Sequence, residues 1–293
     1  MTIAENAERR AAEGKSVLIT GCSSGIGWTT AVHLARNGLI VFATVRKEAD
    51  AARLQRLGEP NLVPVCPVDL TLPEQIAGAV EFVERDLGRR GPAELFALIH
   101  NAGGGQVAPV ELMNIEAFGR ELAARVRGSV ALTQACLPMI RRAAGRILWI
   151  TTPAAVPTPY VASIHACDFA VNCLARTLGI ELKKWSIPSV MVRCGGIRTE
   201  TGLRTTADVE ATLAGVSPDG AALYREVMSV WAKSMAAFDR KRTDPEKVAE
   251  TVLRALNARR PKPRYSIGYM SRAAAFLEAL PPGLADWILK KRF

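Results

Sequence analysis

The sequence predicts a doubly wound α/β domain, with one parallel sheet covered by helices on both faces. Three observations predict it. Short β-branched runs alternate with longer Ala- and Leu-rich stretches from end to end, the pattern of repeated strand–helix–strand units. The first of these runs opens directly into a glycine-rich turn and then a helical stretch. No internal repeat or low-complexity linker breaks the alternation, so 15–293 reads as a single domain behind a loose polar tail, 1–14.

Strands are placed at Ser16–Thr20, Ile40–Val45, Leu62–Val68, Phe96–His100, Arg146–Thr151, Ser189–Arg193 and Arg264–Ile267. Each is a short apolar run suited to burial on both faces of a parallel sheet. Helices fit between them, among them Ile26–Asn37, Pro73–Leu87, Ala117–Arg142 and Tyr160–Lys184. The segment 200–242 has no strand and reads as a helical lid over a ligand site. Segment 243–293 then supplies the C-terminal helices and last strand. Leu203, Leu213, Val216, Leu223, Val227, Val230, Trp231, Met235 and Phe238 recur through the lid at helical spacing, as pocket lining or as simple packing.

The bulk numbers exclude several classes. The 293 residues are 49% hydrophobic and 23% charged, an ordinary globular balance. No apolar run approaches the roughly 20 residues of a membrane-spanning helix. The polar start "MTIAENAERRAAEGK" has no apolar core and does not read as a secretory leader. Six cysteines lie far apart without metal-ligand spacing, so no metal site is expected and free thiols in a reducing cytoplasm are. Lys and Arg exceed Asp and Glu by 38 to 28, a net charge of +10. The basic residues are scattered without interleaved aromatics, which points away from nucleic acid and toward anionic small molecules. The basic ending "WILKKRF" reads as a packed last helix or as a tip touching a membrane surface.

Thr20–Gly27 reads "TGCSSGIG". Between a strand and a helix this is a phosphate cradle. Gly21 permits the turn, Gly25 lets backbone approach a pyrophosphate, Gly27 lets strand and helix pack closely, and the helix N-terminus offers free N–H groups. Ser23, Ser24 and Ile26 belong to the same turn. The second strand ends without the carboxylate that binds a ribose 2′-hydroxyl, and Arg46 and Lys47 stand there instead. A guanidinium suits a 2′-phosphate, so NADP(H) is expected over NAD(H); the alternative is a solvent-facing basic pair.

"TGCSSGIG", "NAG" at Asn101–Gly103, "YVAS" at Tyr160–Ser163 and "GGIRT" at Gly195–Thr199 come in the order and at the spacings of the short-chain dehydrogenase/reductase family. The chain resembles that family from about Lys15 to Thr199, and is most similar to its 17β-hydroxysteroid and retinol dehydrogenase branch. The resemblance implies a Rossmann-type three-layer α/β/α fold. It implies that Asn101, Ala102 and Gly103 steady the sheet beside the cofactor, that Asp69 meets the adenine, and that Ile197 and Thr199 lie against the nicotinamide carboxamide. It also implies a homodimer or homotetramer formed through the helices at 117–142 and 160–184, and a lipophilic small-molecule substrate.

The family's Asn-Ser-Tyr-Lys set is altered. By alignment Tyr160 keeps the tyrosine place, Thr152 replaces serine, Ile164 replaces lysine, and Arg125 replaces asparagine three residues before Gly128. The stretch from Thr152 to Tyr160 is also shorter than the family's and holds three prolines. A phenol is a poor base at neutral pH without a neighbouring cation. Three readings follow. The first is an NADP(H)-dependent reductase or dehydrogenase of a lipophilic carbonyl or iminium compound, with Tyr160 as hydrogen-bond donor and Arg125 polarising an oxygen. Asp168 then pairs with Arg125 or a substrate amine, or is merely an acid in a helix interface. The second is a non-redox cyclase or isomerase of the kind that natural-product pathways derive from this family. The third is a nucleotide-binding pseudoenzyme.

Overall fold

The computed structural model describes residues 14–153, 157–199 and 205–292. Seven parallel strands form one sheet: β1 (Ser16–Ile19), β2 (Ile40–Thr44), β3 (Leu62–Val65), β4 (Ala97–His100), β5 (Arg146–Thr151), β6 (Ser189–Cys194) and β7 (Arg264–Ile267). Their spatial order is β3-β2-β1-β4-β5-β6-β7. The order reverses between β1 and β4, which pair with Val17 opposite Ala97 and Ile19 opposite Ile99. A crevice at the carboxyl ends of strands forms where order reverses, and ligands of such sheets bind there.

Alternation along the strands builds two cores. Val17 and Ile19 of β1, with Val41 and Ala43 of β2, face α1 (Gly25–Arg36) and α9 (Glu246–Asn257), meeting Leu34, Val248 and Val252. Leu18 and Phe42 point the other way, toward α3 (Pro73–Arg90), α5 (Ser129–Arg142) and α6 (Ala162–Glu181). There they meet Val83, Leu132, Met139 and Val171. This two-residue period is what puts one run of four apolar residues into two different cores. Each such buried side chain contributes about 1.5–3 kcal/mol of transfer free energy.

β3 ends at Val65, three residues short of the expected Val68. Pro67 has no N–H to continue the ladder, and β3 is an edge strand, where prolines are tolerated. The helix expected at 117–142 is three segments in series: α4 (Ile115–Leu122), a π turn (Ala123–Gly128) and α5. At its end, a Cβ on Gly128 would lie 2.2 Å from the Leu70 carbonyl, so only glycine permits this approach. The helix expected to begin at Tyr160 begins at Ala162. Tyr160 sits before it with φ +66°, a left-handed conformation uncommon for a non-glycine residue. Tyr160 and Ile164 therefore do not share a helical face.

The lid region contains α7 (Thr205–Ala214) and α8 (Pro218–Asp239). Val209, Leu213, Met228 and Trp231 form a third core with Val107, and Val216 and Met235 pack against it. Leu223, Val227 and Val230 point outward instead, 71%, 47% and 62% exposed, so they do not line a pocket under the lid. Leu203 lies outside the described residues, as do 1–13 and 154–156.

Candidate active site

The glycine turn is held by the ends of β1 and β4. Gly21 has φ +72°, and a Cβ there would stand 2.7 Å from Ala102 Cα. Gly25 has φ +57° and faces the Thr199 methyl. A Cβ on Gly27 would lie 2.2 Å from the Gly21 carbonyl oxygen and 2.4 Å from Asn101 Nδ2. Asn101 stitches the turn by donating from Nδ2 to the carbonyls of Thr20 (2.9 Å) and Gly21 (3.0 Å). In return the backbone N–H groups of Asn101 and Ala102 donate to Thr20 Oγ1. Ser24 takes the N-cap place of α1, yet its hydroxyl makes no cap hydrogen bond. The N-terminus of this twelve-residue helix thus has no bond from its N-cap side chain at the mouth of the crevice, where an anion would sit. Ile26 packs its side chain on the core.

Beyond the turn lie the charged groups. Arg46 and Lys47 are exposed at the end of β2. Asp69 accepts from the N–H and hydroxyl of Thr71 at 2.9 and 2.8 Å. Burial pushes its carboxyl up, but these two bonds and the Arg46 charge outweigh it and hold Asp69 below the usual carboxylate value. Arg53, not singled out from sequence, lies over the Trp28 ring at 4.9 Å and donates to the Ser23 carbonyl at 3.5 Å. It also pairs with Asp50 at 3.4 Å. Its position one helical turn into α2 (Glu48–Gln55) was the available signal. Ile197 is buried with its side chain against Gly268, so it offers no side chain to a ligand.

The residues at the altered catalytic places divide in two. Arg125, in the π turn, meets Asp168 of α6: Nη2 to Oδ1 is 2.5 Å, with the side chains 11% and 1% exposed. Nη1 donates to the carbonyls of Ile164 (3.1 Å) and Gly104 (3.3 Å). Asp168 Oδ2 accepts from Thr152, at 2.6 Å from the hydroxyl and 3.2 Å from the N–H. The three form one hub joining the end of β5, the π turn and α6. Three of the five Arg125 N–H groups are spent on Asp168, Ile164 and Gly104, and the single Thr152 hydroxyl proton on Asp168. Arg125 is thus neutralised by Asp168, which weakens its case as a free charge for a substrate oxygen.

Tyr160 belongs to the lid side. Its ring meets Trp231 edge-on at 5.5 Å between centroids and packs with the third core, while its carbonyl accepts from the Ala108 N–H at 2.8 Å. Ile164, at the lysine place, presses on the glycine run after Asn101: a Cβ on Gly105 would fall 1.9 Å from Ile164 Cγ1. The same Cβ would lie 3.2 Å from Oε2 of Glu121. Burial raises the Glu121 carboxyl above its ordinary value, against the opposing pull of the Arg125 charge and the Ser163 hydroxyl. Glu121 went unnoticed in the sequence; standing one turn before Arg125 on the same helix was its only signal.

A family model for short chain dehydrogenases matches residues 15–210. Estradiol 17-beta-dehydrogenase 2 of Mus musculus is 30% identical over 289 residues, 95% of this chain and 75% of that protein. Retinol dehydrogenase 5 of Homo sapiens is 28% identical over 286 residues, 94% of this chain and 89% of that protein. Among solved structures, a short chain dehydrogenase from Burkholderia cenocepacia in complex with NADP superposes with a TM-score of 0.72 at 22% identity, covering 95% of this chain and 98% of that one. The glycine turn, the Asn101 stitch and the match across two thirds of the sequence agree, and the chain belongs to the short chain dehydrogenase family.

Proposed function

We propose that the protein is an NADP(H)-dependent reductase or dehydrogenase acting on a lipophilic carbonyl or iminium compound. The observation that carries this is the cradle: a Cβ on Gly21 would strike Ala102 and one on Gly27 would strike Gly21 and Asn101, while Gly25 turns left-handed beside the Thr199 methyl. That strict packing keeps the turn and the N-terminus of α1 in the form that receives a pyrophosphate. Arg46, assisted by Arg53, meets the 2′-phosphate; the Burkholderia protein of similar fold is in complex with NADP. Asp69 meets the adenine, and Thr199, beside Gly25, the carboxamide. When bound, the nucleotide supplies the hydride.

The chain's own residues do the rest. Tyr160 donates a hydrogen bond to the substrate oxygen, which needs no lowered pKa. The Arg125–Asp168 pair fixes Thr152 at the end of β5. Trp231, Met235 and Leu213 exclude water beneath the lid and favour an apolar substrate. An iminium substrate suits this site because its reacting carbon needs no proton donor.

Two accompanying readings rest on exposed apolar residues. Phe169 and Ile180 on α6, 46% and 76% exposed, support a homo-oligomer built through that helix. Phe276, Leu284 and Trp287 near the C-terminus are exposed beside Lys290 and Lys291, which supports contact with a membrane surface. Among the described residues no helix is long and apolar enough to cross a membrane. The six unpaired cysteines agree with a cytoplasmic location.

The test is NADPH consumption against a panel of apolar ketones, aldehydes and imines, for wild type and Tyr160→Phe. Turnover that falls in the variant supports the reading. Rearrangement of a substrate without consumption supports a cyclase or isomerase instead, and nucleotide binding with neither supports a pseudoenzyme.

A further inference from the structure

Behind the hub lies a buried imidazole that the proposed chemistry does not use. His100 ends β4, is 5% exposed, and stacks on Trp149 with ring centroids 4.1 Å apart and planes at 24°. Its Nε2 lies 2.8 Å from Thr133 Oγ1. The Thr133 hydroxyl has one proton, and it goes to the Ser129 carbonyl at 2.8 Å. Thr133 therefore accepts from His100, which fixes the Nε2–H tautomer and leaves a lone pair on Nδ1. That nitrogen is buried, and no protein group among the described residues reaches it. Burial keeps the ring neutral, with its pKa pushed down to about 3.

His100 lines a small cavity of about 10 Å³, with Arg125, Ser129 and Asp168 as its other polar lining and Ala102, Trp149, Ile150 and Val171 beside them. That is room for one water molecule, and a buried water needs two to four polar partners. The free valences match. Arg125 has two N–H groups beyond those given to Asp168, Ile164 and Gly104, although the Cys167 thiol also takes a hydrogen bond from Arg125, and Asp168 Oδ1 keeps one lone pair beside its bond to Arg125.

We propose that this cavity binds a single water molecule, which donates to His100 Nδ1 and Asp168 and accepts from Arg125, making His100 a positioning residue for Thr152. The guanidinium disfavours a cation in the cavity, and about 10 Å³ is the room of one water molecule. An unpaired lone pair next to a buried ion pair would cost the fold; a bridging water satisfies both at once. The consequence is that the hydroxyl at the end of β5 is held by β4 as well as by the π turn and α6. The proposal does not depend on nucleotide binding.

The test uses the full chain. A crystal structure is expected to show an ordered water within hydrogen-bond reach of His100 Nδ1 and of Arg125 or Asp168. A dry cavity, or a ring turned so that Nδ1 faces Thr133, overturns the proposal. His100→Phe keeps the stack on Trp149 but cannot accept a hydrogen bond. Hydrogen exchange at the Thr152 amide is expected to quicken by at least about tenfold in it, while the Leu18 amide of β1 keeps its rate. Equal rates at Thr152 in both proteins contradict the positioning role. Should the variant fail to fold, the ¹⁵N resonances of His100 in the wild-type protein still decide: a hydrogen-bonded, unprotonated Nδ1 is expected, and a protonated or free one is the contrary result.

Discussion

Arg125 and Asp168 stand 43 residues apart in sequence and meet at 2.5 Å, with Thr152 hanging from the carboxylate's other oxygen. The pair neutralises two buried charges and joins three elements. Removing one partner leaves the other charged and buried without a counter-charge, which costs on the order of 3–5 kcal/mol. Arg125→Met is therefore expected to lower unfolding free energy by that amount in urea. Arg125→Met with Asp168→Leu should cost less than the sum of the two single changes, because no charge is stranded. Additive costs contradict a coupled pair.

Glycine positions give a contrast within one protein. Gly27→Ala drives a Cβ into the Gly21 carbonyl and the Asn101 amide, so it should destabilise the fold and abolish nucleotide binding. Gly78→Ala lies in the interior of α3 with nothing within 4 Å. It should stabilise by up to about 1 kcal/mol through helix propensity alone. Melting curves and fluorescence titration of the two variants check both statements.

Arg46 stands exposed where a 2′-phosphate is expected. Arg46→Asp replaces the attractive charge with a carboxylate suited to a ribose 2′-hydroxyl. Relative affinity is expected to shift by at least about tenfold from NADPH toward NADH, since a charge-assisted hydrogen bond is worth about 1.5–3 kcal/mol. Equal loss for both nucleotides would show that Arg46 is not at that site.

His100 carries a pH signature. Its folded pKa of about 3 lies below its ordinary 6.5, so the unfolded chain binds the extra proton first. The neutral ring's contribution is complete above pH 6.5 and is lost as pH falls from there toward 3. Within that window one such group gives a slope of up to about 1.4 kcal/mol per pH unit. Unfolding free energy followed across that range should fall more steeply for wild type than for His100→Phe. Parallel curves would mean that the ring titrates freely.

The strands were legible because each is a short β-branched run, and Arg146–Thr151 and Arg264–Ile267 match to the residue. The cradle was legible because glycine is demanded by local backbone. The start of α6 was not: Tyr160 follows a proline and turns left-handed, its ring packed on Trp231 some 70 residues later, and no periodicity carries that. The lid stripe failed for a related reason. Leu223, Val227 and Val230 have the spacing of a buried face, yet the neighbours that would bury them are not there among the described residues. At the altered site, alignment put Arg125, Thr152 and Asp168 in one neighbourhood. That the arginine spends its charge on the aspartate, and the threonine its proton, depends on distances between elements far apart in the chain. Glu121 and His100 had no motif at all; burial alone makes them unusual.

The most direct measurement for the whole account is a fluorescence titration of the full chain with NADPH, run beside NADH and beside Gly27→Ala. The expected result is a saturable signal with NADPH, weaker with NADH, and none in the variant. A flat response of the wild-type protein to both nucleotides would contradict it.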